Sequence, residues 1–463
     1  MSERLQQFAT DLVTSTREYV YIRPEDHVII LRPNRLHHLN ETATWMLTRL
    51  YGQEAVDVAE VIAGAAALYG VPAEQIEEDL TRLLRSVAML LQDRTDCAPA
   101  IRTTSFGSHR RLYPVLSEIA LTYRCQNRCF FCYASSPDRG DDVGEMTTEQ
   151  VCQVLDAIVD DAKIPTVSFT GGEPTLRKDL PDLIRYAKSR GLRVNLITNG
   201  IACGDMRFVE RLAEAGLDSA QVSLEAGDAA THDDVVGNPG AFERTVQGVR
   251  NLREAGIHTH TNTTINTRNR HALHDLIDFV ADLGSQYLSM NMVIRTGGAV
   301  GVQDIGYEDI GELILALKSH TEERGMRFVW YSPVPYCLFN APANGLGSQS
   351  CAAADGLFSV APDGGILPCS SFEHSMGNLL TESFERIWGR RSALYWRNKE
   401  FLPPGCRECD LAELCCGACP LYWDERGSFE ELAGHTTETG ALTNWLWRTR
   451  RNLIGKAKGV GIR

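Results

Sequence analysis

The sequence predicts an α/β protein with a parallel sheet at its centre, a small winged-helix-like unit before it and a cysteine-rich unit after it. Three observations carry this prediction. Apolar or alternating runs at 115–121, 165–170, 192–198, 218–224, 257–265 and 286–294 are separated by helical patterns such as Glu149–Asp161 and Ala241–Ala255. Strands that alternate with helices pair in parallel, because each crossover helix returns the chain to the same end of the sheet. Two short strand-like runs and three helical patterns precede that stretch, between about residues 18 and 92. Eleven of the fourteen cysteines fall in two groups, one near 125–132 and one from 337 to 419. Six strand–helix units fit either an open doubly wound sheet or a partial barrel, and periodicity alone does not choose.

The first unit begins with Tyr19–Arg23 and His27–Leu31, strand-like runs around the turn Pro24-Glu25-Asp26. Asn40 caps a helix through Leu50 that places Ala43, Met46, Leu47 and Leu50 on one face. A second helix runs near Ala55–Tyr69. Pro72 opens a third, striped by Ile76, Leu80, Leu83, Leu84 and Val87. This outline also fits a DNA-binding helix-turn-helix, but Glu74, Glu77, Glu78 and Asp79 at the start of the third helix would repel phosphate. Gln92–Arg111 lacks periodicity and reads as a linker.

Composition bounds the whole. A chain of 463 residues with 43% hydrophobic and 23% charged content is globular and long enough for two or three packed domains. Its longest apolar candidate for a membrane span, Val56–Leu68, is interrupted by Asp57 and Glu60. Met1–Thr10 is polar and lacks the apolar core of a secretory signal. A net charge of −14 argues against non-specific nucleic-acid binding. The exception is the last stretch, with Arg448, Arg450, Arg451, Lys456, Lys458 and Arg463, which reads as a solvated, frayed basic tail. Cys97, Cys152 and Cys203 are isolated and read as bystander thiols. Thiols kept for metal imply a reducing, cytoplasmic setting.

Chemistry concentrates at the ends of the predicted strands, where ligands bind in such folds. Just past the first strand stand Cys125, Cys129 and Cys132 in a C-x3-C-x2-C array. Three thiolates this close can hold three corners of a cubane iron–sulfur cluster and leave one iron open to a ligand. A disulfide pair fits poorly in a large chain without a secretory signal, and zinc would ask for a fourth nearby ligand that is missing. The second strand ends in Thr170-Gly171-Gly172-Glu173-Pro174, the third in Thr198-Asn199-Gly200, the fourth in Ser223-Leu224-Glu225 and the sixth near Arg295-Thr296-Gly297-Gly298. Glycines permit close approach of backbone, and Glu173 supplies an anionic acceptor. Further on, Cys406, Cys409, Cys415 and Cys419 form a C-x2-C-x5-C-x3-C array, preceded by Cys337, Cys351 and Cys369. Paired cysteines of this kind serve zinc as well as iron–sulfur sites.

The C-x3-C-x2-C loop followed by Gly-Gly-Glu-Pro resembles the radical S-adenosylmethionine (SAM) enzymes. That resemblance favours the partial (β/α)6 barrel. It implies that the open iron of a [4Fe-4S] cluster on Cys125, Cys129 and Cys132 chelates SAM, whose reductive cleavage yields a 5′-deoxyadenosyl radical. It further implies cofactor contacts at Phe131, Gly171, Gly172, Glu173, Asn199, Ser223, Glu225 and Arg295, with Glu173 at the amino group and Ser223 and Glu225 at the ribose. The C-terminal array, with Gly364-x4-Cys369, resembles the SPASM domain. By that resemblance Cys351, Cys369 and Cys419, with Cys337, hold one auxiliary [4Fe-4S] cluster, and Cys406, Cys409 and Cys415 hold another. No cysteine follows Cys419, so the fourth ligand of the second cluster is left to Cys416, Asp410, His435 or solvent. Ser370 stands where some members carry an acid proposed as a base. The first unit, through Leu39-Asn40-Glu41-Thr42-Ala43 and Tyr69-Gly70-Val71-Pro72, resembles the peptide-chaperone fold of quinone-cofactor biosynthesis, the RiPP recognition element, where a leader peptide adds as a strand to a sheet edge.

Together these imply a peptide-modifying radical SAM/SPASM enzyme that draws electrons from a flavodoxin- or ferredoxin-type donor. Its divisions are expected at 1–92 for peptide recognition, 93–112 for the linker, 113–332 for the barrel, 333–425 for the auxiliary clusters and 426–463 for a C-terminal helix and tail. Two rivals remain. One is a radical SAM enzyme acting on a porphyrin or haem precursor. The other is a zinc-bound winged-helix regulator without catalysis.

Overall fold

A computed structural model describes residues 3–33, 35–92, 101–103, 112–140, 142–302, 304–347 and 350–456. Cys97, Lys458, Arg463 and most of the expected linker lie outside them.

The amino-terminal unit opens with a helix that the sequence reading passed over, α1 (Glu3–Thr16), which buries Leu5, Ala9, Leu12 and Val13. A short antiparallel sheet follows, with β1 (Val20–Arg23), β2 (Val28–Leu31) and β3 (Arg35–His38) joined in order. The expected helices are α2 (Glu41–Gly52), α3 (Val58–Tyr69) and α4 (Ala73–Leu91). Asn40 caps α2 by accepting from the Ala43 amide at 2.8 Å, and Asp57 caps α3 through Glu60 at 2.9 Å. Every residue of the predicted α4 stripe is buried, in one core with α1, α2 and α3. The segment read as a linker contributes β4 (Arg102–Thr103), which pairs with the outer side of β3, so β1 and β4 are the outermost strands of this sheet.

Seven parallel strands make the centre: β5 (Leu116–Thr122), β6 (Thr166–Gly171), β7 (Arg193–Thr198), β8 (Ser219–Ser223), β9 (His258–Ile265), β10 (Tyr287–Met292) and β11 (Arg327–Trp330). They run in sequence order with helices between them, for example Thr148–Asp160, Leu180–Ser189 and Ala241–Glu254. Alternation does the sorting. Ile119, Leu121, Val167, Phe169, Val194, Leu196, Ala220 and Val222 pack against the helices in one core. The opposite parity carries Glu118, Ser168, Asn195, Ser219 and Gln221, so the inner face of this partial barrel is polar.

The sheet continues on the far side of β5. There β12 (Leu357–Val360) pairs in parallel with β5, and β13 (Gly365–Leu367) and β14 (Gly377–Asn378) extend it antiparallel. Phe358, Ile366, Phe384, Trp388 and Trp396 of this unit join the barrel's own core. The buried pair Lys399–Asp355, 2.8 Å apart, locks the segment that carries Cys351, because Lys399 Nζ also donates to the Cys351 carbonyl at 3.1 Å. The chain's last described element is the helix Ala441–Lys456. Its basic residues are not a frayed tail as expected. Arg448 and Arg451 pair with Asp424, Arg450 pairs with Glu400, and Trp447 is buried with its indole donating to the Phe401 carbonyl at 2.8 Å. Acidic partners elsewhere in the fold anchor the helix through these cations, Arg451 buried and Arg448 and Arg450 at the surface. No helix among the described residues is long and apolar enough to cross a membrane.

The amino-terminal unit docks on the end of the barrel where the parallel strands begin. Arg23, fully buried, pairs with Asp26 at 2.7 Å and donates to the carbonyls of Pro114 at 2.5 Å and Lys163 at 3.3 Å, just ahead of β5 and β6. Val28, Ile30 and Leu36 share a small core with Val115.

Candidate active site

At the opposite end, β5 stops at Thr122 and the chain leaves the sheet as the cysteine loop. Thr122 Oγ1 donates to Glu145 at 2.5 Å and accepts from the Arg124 amide at 2.9 Å, while Arg124 pairs with Glu145 at 2.8 Å. Segments that follow β8 and β10 grip the loop. The Arg128 amide donates to the Val236 carbonyl at 2.8 Å, Asn238 Nδ2 to Asn127 Oδ1 at 2.8 Å, and the Gly298 amide to the Cys132 carbonyl at 2.9 Å. The structure thus brings Cys125, Cys129 and Cys132 together, each half-buried, on a loop anchored from the ends of several strands.

Gly171 and Gly172 do their work against this loop. Gly171 has φ +139°, and a Cβ on it would overlap the Thr122 carbonyl; one on Gly172 would overlap the carbonyls of Tyr123 and Arg124. The Gly172 amide donates to Thr122 O at 2.7 Å and the Glu173 amide to Arg124 O at 2.9 Å. Only residues without a side chain let the β6 exit approach the β5 exit so closely.

The Glu173 carboxylate is fully buried and mostly satisfied from within the chain. Its Oε1 accepts from the Thr175 amide at 3.1 Å, Thr175 Oγ1 at 2.6 Å and Thr198 Oγ1 at 2.8 Å. Oε2 accepts from the Asn199 amide at 2.8 Å and keeps room for one further donor. Asn199 also lies near Cys125, with Nδ2 at 4.0 Å from its sulfur. Glu225 is buried beyond the end of β8, takes the Thr264 amide on Oε2 at 2.9 Å and comes within electrostatic reach of Cys129. Burial raises its carboxyl to about 8, so it is largely protonated at neutral pH. Ser223 closes β8, half-buried, opposite Asn262. Phe131 meets Phe130 edge-on at 5.4 Å. Arg295 differs from the expectation. Its guanidinium is committed to Glu425 at 2.9 Å, to the carbonyls of Asp304 and Ile305, and to the face of Tyr422. A buried cation takes the nearest acid, and that acid belongs to the C-terminal unit.

Sequence reasoning missed the polar lining beneath the loop. Asn262 bonds Asn291 and Ser289, Asn291 bonds Thr264, and Asn195 bonds Ser219 and Ser168, all between inward positions of neighbouring strands. The run His258-Thr-His-Thr-Asn-Thr-Thr-Ile265, polar at nearly every position of a buried strand, was the available signal. Tyr133 was missed as well. It is half-buried next to Cys132 and close to Ser370, beside Cys369, and burial pushes its phenol up.

The thiols fit an iron–sulfur cluster. Burial pushes the Cys125 thiol up to about 12 and the Cys129 thiol well above its usual range, and neighbouring thiols push the same way. A metal would have to displace these protons, since the thiolate is the form that ligates. No three His, Cys, Asp or Glu side chains among the described residues converge on a point suited to a single ion. A cubane asks for something else, since each thiolate takes a different corner of an extended body. Three soft sulfur donors without an imidazole are the donor set of iron–sulfur chemistry.

The second cysteine group divides in two. Cys369 lies within electrostatic reach of Cys351 and Cys419, and Cys419 of Cys351. Cys337, expected with these three, instead faces Cys409 and Cys415. Cys416 is fully buried with its thiol directed at the Glu413 carbonyl, 3.7 Å away, and Asp410 and His435 are exposed.

Comparison with known proteins agrees with this layout. The Radical SAM superfamily profile matches residues 119–280, the coenzyme PQQ synthesis protein D (PqqD) profile residues 27–89, and the SPASM iron–sulfur cluster-binding profile residues 351–410. The chain is 26% identical over 333 residues to an AdoMet-dependent heme synthase of Methanosarcina barkeri (strain Fusaro / DSM 804), covering 69% of this chain and 95% of that one. It is 28% identical over 309 residues to a PqqA peptide cyclase of Granulibacter bethesdensis, covering 65% and 80%. Among solved structures it resembles Streptococcus suis SuiB bound to precursor peptide SuiA, with a TM-score of 0.65 at 18% identity over 88% of this chain and 95% of that one. It also resembles anSMEcpe with bound AdoMet, with a TM-score of 0.54 at 14% identity over 74% and 100%.

Proposed function

Because this is a radical SAM protein that carries PqqD-type and SPASM domains, we propose that it matures a ribosomally made precursor peptide. The SAM-derived radical would take a hydrogen atom from a side chain or α-carbon of that peptide. The auxiliary clusters would accept the remaining electron as a proton leaves, giving a cross-link or a dehydrogenation; an epimerisation would instead return a hydrogen atom, from a thiol-type donor, to the α-carbon radical and leave no electron for the clusters. The observation that carries this reading is the conjunction of a PqqD-type domain with a cysteine loop and a SPASM unit in one packed body. The PqqA peptide cyclase relatives support the substrate class. The AdoMet-dependent heme synthase relatives keep a small-molecule substrate as the second reading, and the PqqD-type domain speaks against it.

When bound on Cys125, Cys129 and Cys132, a [4Fe-4S] cluster supplies the electron that cleaves SAM. The chain's own groups do the positioning. Glu173 Oε2 offers its spare acceptor to the SAM ammonium, next to backbone held close by Gly171 and Gly172. Asn199, Ser223 and Glu225 border the same space, and Glu225, protonated, can donate to a ribose oxygen. Phe131 offers an aromatic edge to the adenine. The polar barrel lining gives a peptide backbone donors and acceptors it would otherwise lose on leaving water. Leader recognition belongs to the small sheet, where β1 and β4 are the outer strands available for strand addition. A reducing cytoplasm and a flavodoxin- or ferredoxin-type donor complete the reading.

The test is anaerobic turnover of reconstituted enzyme with SAM, a reductant and a short peptide encoded beside its gene, read by mass spectrometry and amino-acid analysis. Loss of hydrogens or inversion of a stereocentre supports the proposal. Turnover of a porphyrin with none of the peptide transfers it to the second reading.

A further inference from the structure

The PqqD-type and radical SAM units leave one feature unexplained, the position of Cys337. No cysteine stands in 420–463, so beyond Cys416 and Cys419 nothing downstream there can complete a set with Cys406, Cys409 and Cys415. Cys337 comes to them from upstream. It follows β11 in the segment leaving the last parallel strand, and the amide of Tyr336 next to it donates to Cys415 Sγ at 3.3 Å. All six pairs among Cys337, Cys406, Cys409 and Cys415 lie within electrostatic reach of each other. Gly417, at φ +59°, turns the chain between Cys415 and Cys419 so closely that a Cβ there would stand 3.6 Å from Cys406 Sγ. The alternatives are placed otherwise. Asp410 and His435 are exposed, and Cys416 is buried with its thiol on the Glu413 carbonyl, within electrostatic reach of Lys399 and Cys351 as well as of its chain neighbour Cys415.

We propose that Cys337 is the fourth thiolate of the second auxiliary cluster, so that this cluster is closed by four cysteines, and that the first auxiliary cluster keeps only Cys351, Cys369 and Cys419. This inference rests on the reading that the C-terminal cysteines hold clusters. Cys337 and Cys409 are exposed, so the closed cluster faces solvent. A fully thiolate-bound cluster at the surface relays electrons and binds no substrate. The three-thiolate site lies inward. Glu118 lies within electrostatic reach of Cys369, and its Oε1 takes the Ser359 hydroxyl at 2.5 Å and the Ser370 amide at 3.3 Å. The open iron position of the auxiliary pair therefore belongs to the barrel side, with a carboxylate beside it.

Iron, sulfide and the EPR signals of the reduced protein test this in full-length chains whose Cys125, Cys129 and Cys132 are alanine. That background should bind about eight irons, as two cubanes. Cys406→Ser and Cys369→Ser should each remove one of two distinguishable signals. Cys337→Ser should perturb the signal that Cys406→Ser removes and lower iron toward four. Combining it with Cys406→Ser should cause no further loss, whereas combining it with Cys369→Ser should take iron toward zero. Cys337→Asp, which keeps a ligating group, should shift the same signal without erasing it, and Cys416→Ser should leave both. The proposal is overturned if Cys337→Ser acts on the Cys369 signal or on neither, or if Cys416→Ser acts on the Cys406 signal. Should Cys406→Ser itself cost no iron, the cluster reading of the whole array fails with it.

Discussion

Glu173→Gln is the sharpest single test of the SAM site. The swap keeps size and removes charge. Oε1 gathers three donors in this structure, so the glutamine oxygen will take that place. The glutamine NH2 then falls where Oε2 accepts the Asn199 amide. Two donors face each other, and a buried N–H loses its partner at a cost of about 1–3 kcal/mol. The SAM ammonium loses a charge-assisted acceptor worth roughly 1.5–3 kcal/mol. Stability should fall by the first amount, measured by denaturant unfolding of the apoprotein. SAM affinity should fall roughly ten- to hundredfold, measured by equilibrium dialysis on reconstituted protein matched for iron. Reduced stability with unchanged SAM affinity would make Glu173 a strut for the loop and nothing more. No change in either would refute the reasoning entirely.

Gly171→Ala should strain the backbone by about 1–3 kcal/mol at φ +139° and push the Thr122 carbonyl aside, so the catalytic cluster is lost while auxiliary iron stays; iron counts with and without the auxiliary cysteines check this. Lys399→Met should cost about 3–5 kcal/mol by removing the buried cation that pairs with Asp355, and adding Asp355→Asn should recover part of it in denaturant melts. His37 is buried without a hydrogen-bond partner among the described residues on either ring nitrogen, and burial lowers it to about 4. Its neutral form therefore supports folding fully above pH 6.5, and that support is lost as pH falls toward 4. By pH 5.5 the loss is about 1.4 kcal/mol, seen as faster amide exchange in α2 and β3 of the apoprotein and absent in His37→Gln.

Features fixed by short-range spacing were legible in the sequence. The cysteine loop, Gly171–Glu173, the six alternating strands and the α4 stripe each sit within a few residues of the pattern that announces them. What escaped depends on partners far along the chain. Cys337 joins residues about seventy positions away, and its own neighbours carry no sign of that. Arg295 found its acid in the C-terminal unit. β4 is two residues long, below any periodic signal, and Arg448, Arg450 and Arg451 of the basic stretch lie on a helix met by Asp424 and Glu400. Helix α1 is a different case. Its stripe of Leu5, Ala9, Leu12 and Val13 was present, hidden among polar neighbours.

The amino-terminal unit sits where the parallel strands start, and the cysteine loop sits where they finish. Strand β5 alone has seven residues, which at about 3.3 Å per step sets the two ends roughly 20 Å apart. An extended chain covers at most about 3.6 Å per residue. A peptide gripped at one end would thus need at least about six residues before its reacting residue reached the other, and more on a path around the barrel wall. On the proposed function the fold would act as a ruler: which residue is modified would be set by its distance along the substrate from the anchored segment, before any side-chain preference acts.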